Sequence, residues 1–219
     1  MCDQSGRILG PRALSTRRRL LEATEALLKE KGLAALSVVE IARSIETSPA
    51  TFYQYFADSL EAVLVLVQQV EAGMPQIFAM IDGPWQAEAG LQTARKVVRS
   101  FAIHWDEYGH ILQARDYLAE RGDRRFADLR ESSLGDIVAR LAARFEESKK
   151  RGAVDPEIHA MTAAAGMVAI LERLGGQYAR LSGFGATQEH FVETCARILY
   201  QVVNGECARA HAGGNEPGP

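Results

Sequence analysis

Three helix-start signals stand within one short run of this chain, SVVEIARSIETSPATFYQYFADSLEAVL (37–64), and they leave little freedom in how it folds. Ser37-Val38-Val39-Glu40 has the form of a capping box, in which the serine and glutamate side chains satisfy the first free amides of a helix. Ser48 precedes Pro49, which suits an N-cap followed by the first helical position, where a missing N–H costs nothing. Asp58-Ser59-Leu60-Glu61 is a second capping box, of the aspartate type. The spacing predicts a short helix, a polar turn and a second short helix ending near Phe56. A longer amphipathic helix follows, carrying Val63, Leu66, Val67 and Val70.

Within 48–56 the inward set is Phe52 and Phe56, with Ala50 small enough for close approach. The outward set is Ser48, Pro49, Thr51, Tyr53, Gln54 and Tyr55. Hydroxyls, an amide and aromatic edges on a short, rigidly held helix suit entry into a DNA major groove about 12 Å wide. The expectation is a helix-turn-helix head that reads double-stranded DNA.

The net charge of the 219-residue chain, −3, does not by itself favour a polyanionic partner. Its distribution does. Residues 1–19 hold Arg7, Arg12, Arg17, Arg18 and Arg19 against Asp3, a balance of +4 that leaves −7 for the remainder. A basic arm on an acidic body is the asymmetry expected when one end meets phosphate. Three cysteines, Cys2, Cys195 and Cys207, lack metal-ligand spacing and are odd in number, which argues against a disulfide framework and fits a reducing cytoplasm. No secretory leader follows the early arginines, and no run approaches the roughly 18 apolar residues of a membrane span.

The rest of the chain is helical in pattern, giving an all-α fold of about nine helices. A flexible basic arm (1–15) precedes a first helix from about Thr16 to Lys31, with Gly32 at its end, and the head spans 16–62. The fourth helix is expected to run to about Ile81, with Met74-Pro75 as a possible kink. Leu91, Ala94, Val98, Phe101, Trp105 and Tyr108 keep helical spacing, a shorter helix covers 111–121, and a long one covers 124–151. Pro156 is expected to open an alanine-rich helix to about Arg180. LSGFGAT (181–187) reads as a loop, with Thr187 capping a final helix through 203. The body is thus 63–205, followed by a Gly/Ala/Pro-rich disordered tail, 206–219.

Residues 16–64 resemble the DNA-binding domain of the TetR family of bacterial transcriptional regulators. The matching pieces are Leu20-Leu21-Glu22-Ala23 with Leu27-Leu28, Gly32-Leu33, Ser37 to Ala42, and Ser48-Pro49-Ala50-Thr51-Phe52-Tyr53-Gln54-Tyr55-Phe56. The resemblance implies that Ser37, Thr51 and Tyr53 bond phosphates, and that Pro49, Gln54 and Tyr55 lie at base edges or their flanking phosphates. It implies that Arg17, Arg18 and Arg19 reach the backbone or an adjacent minor groove. Two departures stand out. Ile45-Glu46-Thr47 occupies a turn where the family usually has Ala-Gly-Val, so Glu46 must adopt the positive φ that glycine tolerates or form another turn. The fourth helix opens without the family's lysine, which removes one phosphate contact and about 0.9 from the salt slope.

A two-fold operator reader needs two heads about 34–36 Å apart, so a homodimer through the last two long helices is expected. The resemblance further implies a small-molecule effector inside the body. Such an effector must prefer the non-binding state by about 5.5 kcal/mol to invert a 1:99 population. Phe101, Trp105, Tyr108, Phe126, Phe145, Met167 and Leu171 form the candidate lining, which favours a largely apolar effector. Arg115 is expected to meet Asp116 or Glu120, or an anionic ligand group. The function expected is a ligand-responsive repressor on a palindromic operator. Competing readings are a helical small-molecule-binding protein without specific DNA activity, and a metal-dependent helical enzyme. Glu107-x-x-His110 with His104 is half of a carboxylate-bridged metal site, and the chain holds no second Glu-x-x-His to complete it. No Gly-rich phosphate loop, nucleophile elbow or Cys/His cluster is present, so neither a catalytic residue, a cofactor nor a metal is implied.

Overall fold

The computed structural model describes Gln4, Ile8–Gly176 and Gly183–Gly205. Among these residues there are helices and turns and no β-strand. The elements are α1 (Pro11–Lys31), a 3₁₀ turn (Leu33–Ala35), α2 (Val38–Ser44), α3 (Pro49–Tyr53) and α4 (Ser59–Glu71). They continue with α5 (Met74–Ile81), α6 (Ala87–Glu120), α7 (Arg124–Lys150), α8 (Ala160–Gly175) and α9 (Gln188–Asn204). The chain forms two compact units. One comprises Met1–Ala72 with Tyr108–Arg130, the other Gly73–Glu107 with Glu131–Pro219. The first unit therefore takes in the end of α6 and the start of α7 as well as the sequence-expected head.

In the first unit, α1 packs on α2 and α4, and α2 packs on α3. Leu20, Ile41, Phe52 and Phe56 are fully buried, each contributing about 1.5–3 kcal/mol of transfer free energy. The helix starts form where the caps predicted them, though neither box closes fully. Ser37 Oγ accepts the Glu40 amide at 3.2 Å, but the Glu40 carboxylate takes Lys31 Nζ at 3.0 Å instead of reaching back. Asp58 Oδ1 accepts the Glu61 amide at 2.7 Å, and Glu61 reaches back one residue further, to the amide of Ala57. Gly32, at φ 74°, returns its amide to the Leu28 carbonyl and ends α1. Behind the head, Arg115 is buried and paired with Glu71 and Asp116, and Arg130 joins Asp116 at 3.1 Å. The expected Asp116 partner is present; Glu71 takes the second place.

Several boundaries differ from the sequence reading for local reasons. Helix α1 starts at Pro11, five residues before Thr16, because Gly10-Pro11 supplies an extended N-cap and a pre-set first residue. Helix α3 stops at Tyr53 rather than Phe56. The expected single helix from 59 to 81 breaks at Ala72–Gly73, since Pro75 has no N–H for the Glu71 carbonyl and opens α5 instead. Taken together, Ser59–Ile81 is long and apolar enough by composition to cross a membrane, against the expectation of no such stretch. Its apolar side chains Val63, Leu66, Val67, Phe78 and Ile81 are buried within the fold. Helix α6 is continuous for 34 residues where a break near Gly109 was expected. The roughly 1 kcal/mol cost of one helical glycine is outweighed by the buried residues on both sides of it, Trp105, Ile111 and Leu112.

In the second unit the core holds Phe101, Trp105, Ile137, Leu141, Phe145, Met167, Leu171, Phe191 and Leu199. Helix α8 begins at Ala160, not Pro156: the Asp155 carboxylate accepts the Glu157 amide in a turn, and His159 Nδ1 then caps Thr162. Thr187 caps α9 as expected, accepting the His190 amide at 3.1 Å. The expected end of the alanine-rich helix at Arg180, the first two residues of the 181–187 loop and the 206–219 tail lie outside the described residues.

Candidate nucleic-acid interface

The turn between α2 and α3 is closed by two backbone bonds. The Thr47 amide bonds the Ala42 carbonyl at 2.9 Å and the Glu46 amide bonds the Arg43 carbonyl at 3.0 Å, the paired bonds that end a helix on a left-handed residue. That residue is Glu46, at φ 57°. Of the two alternatives open in the sequence, the chain takes the family's glycine geometry with a glutamate in it.

Ser48 Oγ then accepts the Thr51 amide at 3.2 Å and lies 3.1 Å from Thr51 Oγ1. A hydroxyl that accepts a backbone amide keeps its own O–H, so capping leaves Ser37 with a donor for phosphate, while the Ser48–Thr51 hydroxyl pair spends one of its two protons internally and keeps one. Phe52 and Phe56, with ring centroids 5.3 Å apart, anchor α3 from inside. Tyr53 is 52% exposed, its ring set edge-on to Phe52. Pro49 and Gln54 are exposed, while Thr51 and Tyr55 are half-buried. Ala50, expected to face inward, is exposed, because the five-residue helix turns only Phe52 to the core. The outward set Ser48, Pro49, Thr51, Tyr53, Gln54 and Tyr55 thus shares one short helix and its flank.

The three arginines are placed differently from the expectation. Arg17, Arg18 and Arg19 sit across the second and third turns of α1, not at its start, and consecutive helical residues fan out by about 100° each. Arg17 lies over the Phe56 ring, 4.9 Å from its centroid, and burial pulls its pKa down, with Glu61 opposing. Arg19 donates to the Ile45 carbonyl at 3.0 Å. Arg18 is exposed beside Glu22 at 3.5 Å. They do not form one cationic edge: one packs, one braces the turn, and one faces solvent. Between Ser44 and Asp58 there is no lysine or arginine, so the cations of the head come from α1 and from Arg43.

Sequence reasoning missed Gln4, whose side chain reaches Tyr55 and Glu61. A single polar residue 51 and 57 positions from its partners leaves no periodic or motif signal.

The seven candidate lining residues are split between the units. Phe101, Trp105, Phe145, Met167 and Leu171 belong to the second and are all buried; Tyr108 and Phe126 belong to the first. The five pack as core, with Phe101 and Trp105 centroids 6.4 Å apart and Trp105 lying against Gly175 and Gly176. A recess of about 290 Å³ in the same unit is lined by Ala87, Glu88, Leu91, Arg197, Tyr200 and Gln201, and none of the seven lines it. Among the described residues no group of three or more His, Cys, Asp or Glu side chains is placed to hold a metal. His110 instead lies 3.6 Å from Glu25.

Residues 20–64 match the model described as bacterial regulatory proteins, tetR family, and residues 79–209 match that of the tetracyclin repressor-like C-terminal domain. No curated protein matches the chain significantly. Solved structures share the fold at low identity. A TetR-family regulator from Mesorhizobium loti is 18% identical, with TM-score 0.63, 90% of this chain and 98% of that one covered. The fatty acid degradation regulator FadR from Bacillus halodurans is 14% identical, with TM-score 0.62 and 91% and 97% covered. Thermus thermophilus FadR, solved with lauroyl-CoA, is 17% identical, with TM-score 0.55 and 93% and 98% covered. A capped helix-turn-helix, an all-helical body and two family models that together span most of the sequence lead to one assignment: the chain belongs to the TetR family of bacterial transcriptional regulators.

Proposed function

We propose that this regulator is a homodimeric repressor that holds a palindromic operator through α3 and is released by a small, largely apolar effector in its body. The observation that carries the reading is α3 itself. Its inner face is fixed by buried Phe52, with Phe56 buried just past its end, while Tyr53, the following Gln54 and the Ser48–Thr51 hydroxyl pair remain at the surface. Ser37, Thr51 and Tyr53 are the proposed phosphate contacts, with Pro49, Gln54 and Tyr55 toward base edges. Arg18 and Arg19 are the proposed backbone cations, and Arg17 a packing residue beside them.

Dimerisation is supported by the outward surface of the last two helices. Met161, Ala165, Gly166, Ala169 and Ile170 on α8 are exposed, as are Ile198 and Val202 on α9. Small residues between larger apolar ones allow close helix approach across a two-fold axis. An apolar effector is supported by the lauroyl-CoA held by the Thermus relative.

In vitro selection of duplexes with the purified full chain tests the central reading. A palindromic site with half-sites about one helical turn apart is expected, bound more weakly as salt rises. Recovery of no palindrome at moderate salt would remove the repressor reading and favour a helical ligand-binding protein.

A further inference from the structure

Gln4 bonds the backbone just past the end of α3 twice and contacts the Glu61 carboxylate of α4 through both its oxygens. Its backbone N–H donates to the Gln54 carbonyl at 3.0 Å, and Nε2 donates to the Tyr55 carbonyl at 3.4 Å. The same Nε2 lies 3.1 and 2.9 Å from the two Glu61 carboxylate oxygens. Glu61 also accepts the Ala57 amide, so one carboxylate gathers the turn between α3 and α4 and the segment ahead of α1. Leu9, two residues ahead of α1, is buried, and Arg17 of α1 lies over Phe56. The Gln4 and Arg17 contacts both fall on residues 54–61.

The physical need for them follows from the length of α3. A helix of five residues has too few internal bonds to hold its own direction, since most of its end groups find no partner along the helix. Phe52 and Phe56 fix its inner face. Its C-terminal end, which carries Gln54 and Tyr55 toward the proposed operator, is held by Gln4 and Glu61.

We propose that Gln4 is a positioning residue for DNA reading: by bonding the Gln54 and Tyr55 carbonyls together with the Glu61 carboxylate, it sets the direction of α3 against α4. The proposal rests on the reading of α3 as the operator-contacting helix. It gives Gln4 a role in sequence discrimination, distinct from the nonspecific pull of the α1 arginines on phosphate.

The test uses the full chain, the operator recovered by selection with the wild-type protein, and a scrambled duplex of equal length. Gln4→Ala keeps the charge and removes the side-chain bonds. It is expected to weaken operator binding by about tenfold, the scale of one or two lost hydrogen bonds. Binding to the scrambled duplex and the thermal midpoint are expected to stay unchanged, because the residue is exposed. Hydrogen exchange at the Ala57 amide should quicken. Unchanged operator affinity, or equal losses on both duplexes, overturns the positioning role and leaves the operator reading intact. Failure of the wild-type protein to select any site removes both.

Discussion

Glu46 holds a left-handed backbone, φ 57°, at the one point where α2 must hand over to α3. An L-residue with a Cβ meets its following carbonyl in that region, at a cost of about 1–2 kcal/mol. The Thr47 and Glu46 amide bonds to Ala42 and Arg43 keep it there. Glu46→Gly relieves the clash but raises the entropy of the unfolded chain, which offsets part of the gain. The expected net effect is a stabilisation of about 0.5–1 kcal/mol, read as a midpoint about 1–4 °C higher for a chain of this size. Glu46→Ala removes the same charge but keeps the Cβ, so it should show no such rise in thermal denaturation. Equal midpoints for the two variants would mean that the turn stores no strain. That Glu46 stands where the family has glycine was legible from the sequence; which of the two outcomes followed, a strained positive φ or another turn, was not.

At the level of elements, caps were the readable part. Ser37, Ser48, Asp58 and Thr187 all accept the amide three residues on, since such bonds depend on a few neighbouring residues and little else. Breaks were less readable, because they depend on tertiary packing. Gly109 does not interrupt α6, whereas Pro75 ends α4 four residues before itself. Ties between distant elements left no sequence trace at all. In the second unit, Arg95 on α6 grips Glu193 on α9 through both carboxylate oxygens at 2.8 and 2.9 Å, and Arg197 adds a third bond at 2.6 Å. The Arg95 bond first, then Arg197, pulls the Glu193 pKa from 4.5 to about 2. A carboxyl with a depressed folded pKa contributes stability that is whole above its unfolded value and disappears as pH falls through the folded one. The midpoint gap between wild type and Glu193→Gln should therefore be constant above about pH 5 and close between pH 4.5 and 2. A gap of the same size at pH 2.5 and pH 7 in parallel melts would show that the triad contributes nothing through charge.

For the whole molecule, the charge asymmetry and the helical pattern pointed to a reader with a separate body. They could not show that Tyr108–Arg130 would join the head's unit, because helix periodicity says which face is buried and not against what. The same limit explains the candidate lining. A stripe of aromatic residues reads alike whether it faces a ligand or a packed neighbour, and here Trp105 faces Gly175 and Gly176. The surface left for a second copy is more specific. Ala165, Gly166 and Ala169 lie exposed along α8 between Met161 and Ile170, a face whose burial favours a partner of matching shape. In a two-fold dimer any substitution there is present twice. Ala169→Glu would bring two unpaired carboxylates into that contact, and even after relaxation and water penetration each buried charge costs several kcal/mol. The dimer dissociation constant should rise by about a hundredfold or more, seen as a shift to monomer in sedimentation, with an unchanged helical spectrum. Operator affinity should fall with it, because one head reads only half a palindrome and loses the effective concentration of the second. If Ala169→Glu stays dimeric, α8 is not the contact. If it becomes monomeric and still binds the full operator as tightly as wild type, reading does not depend on the dimer, and the two-headed model of this regulator fails.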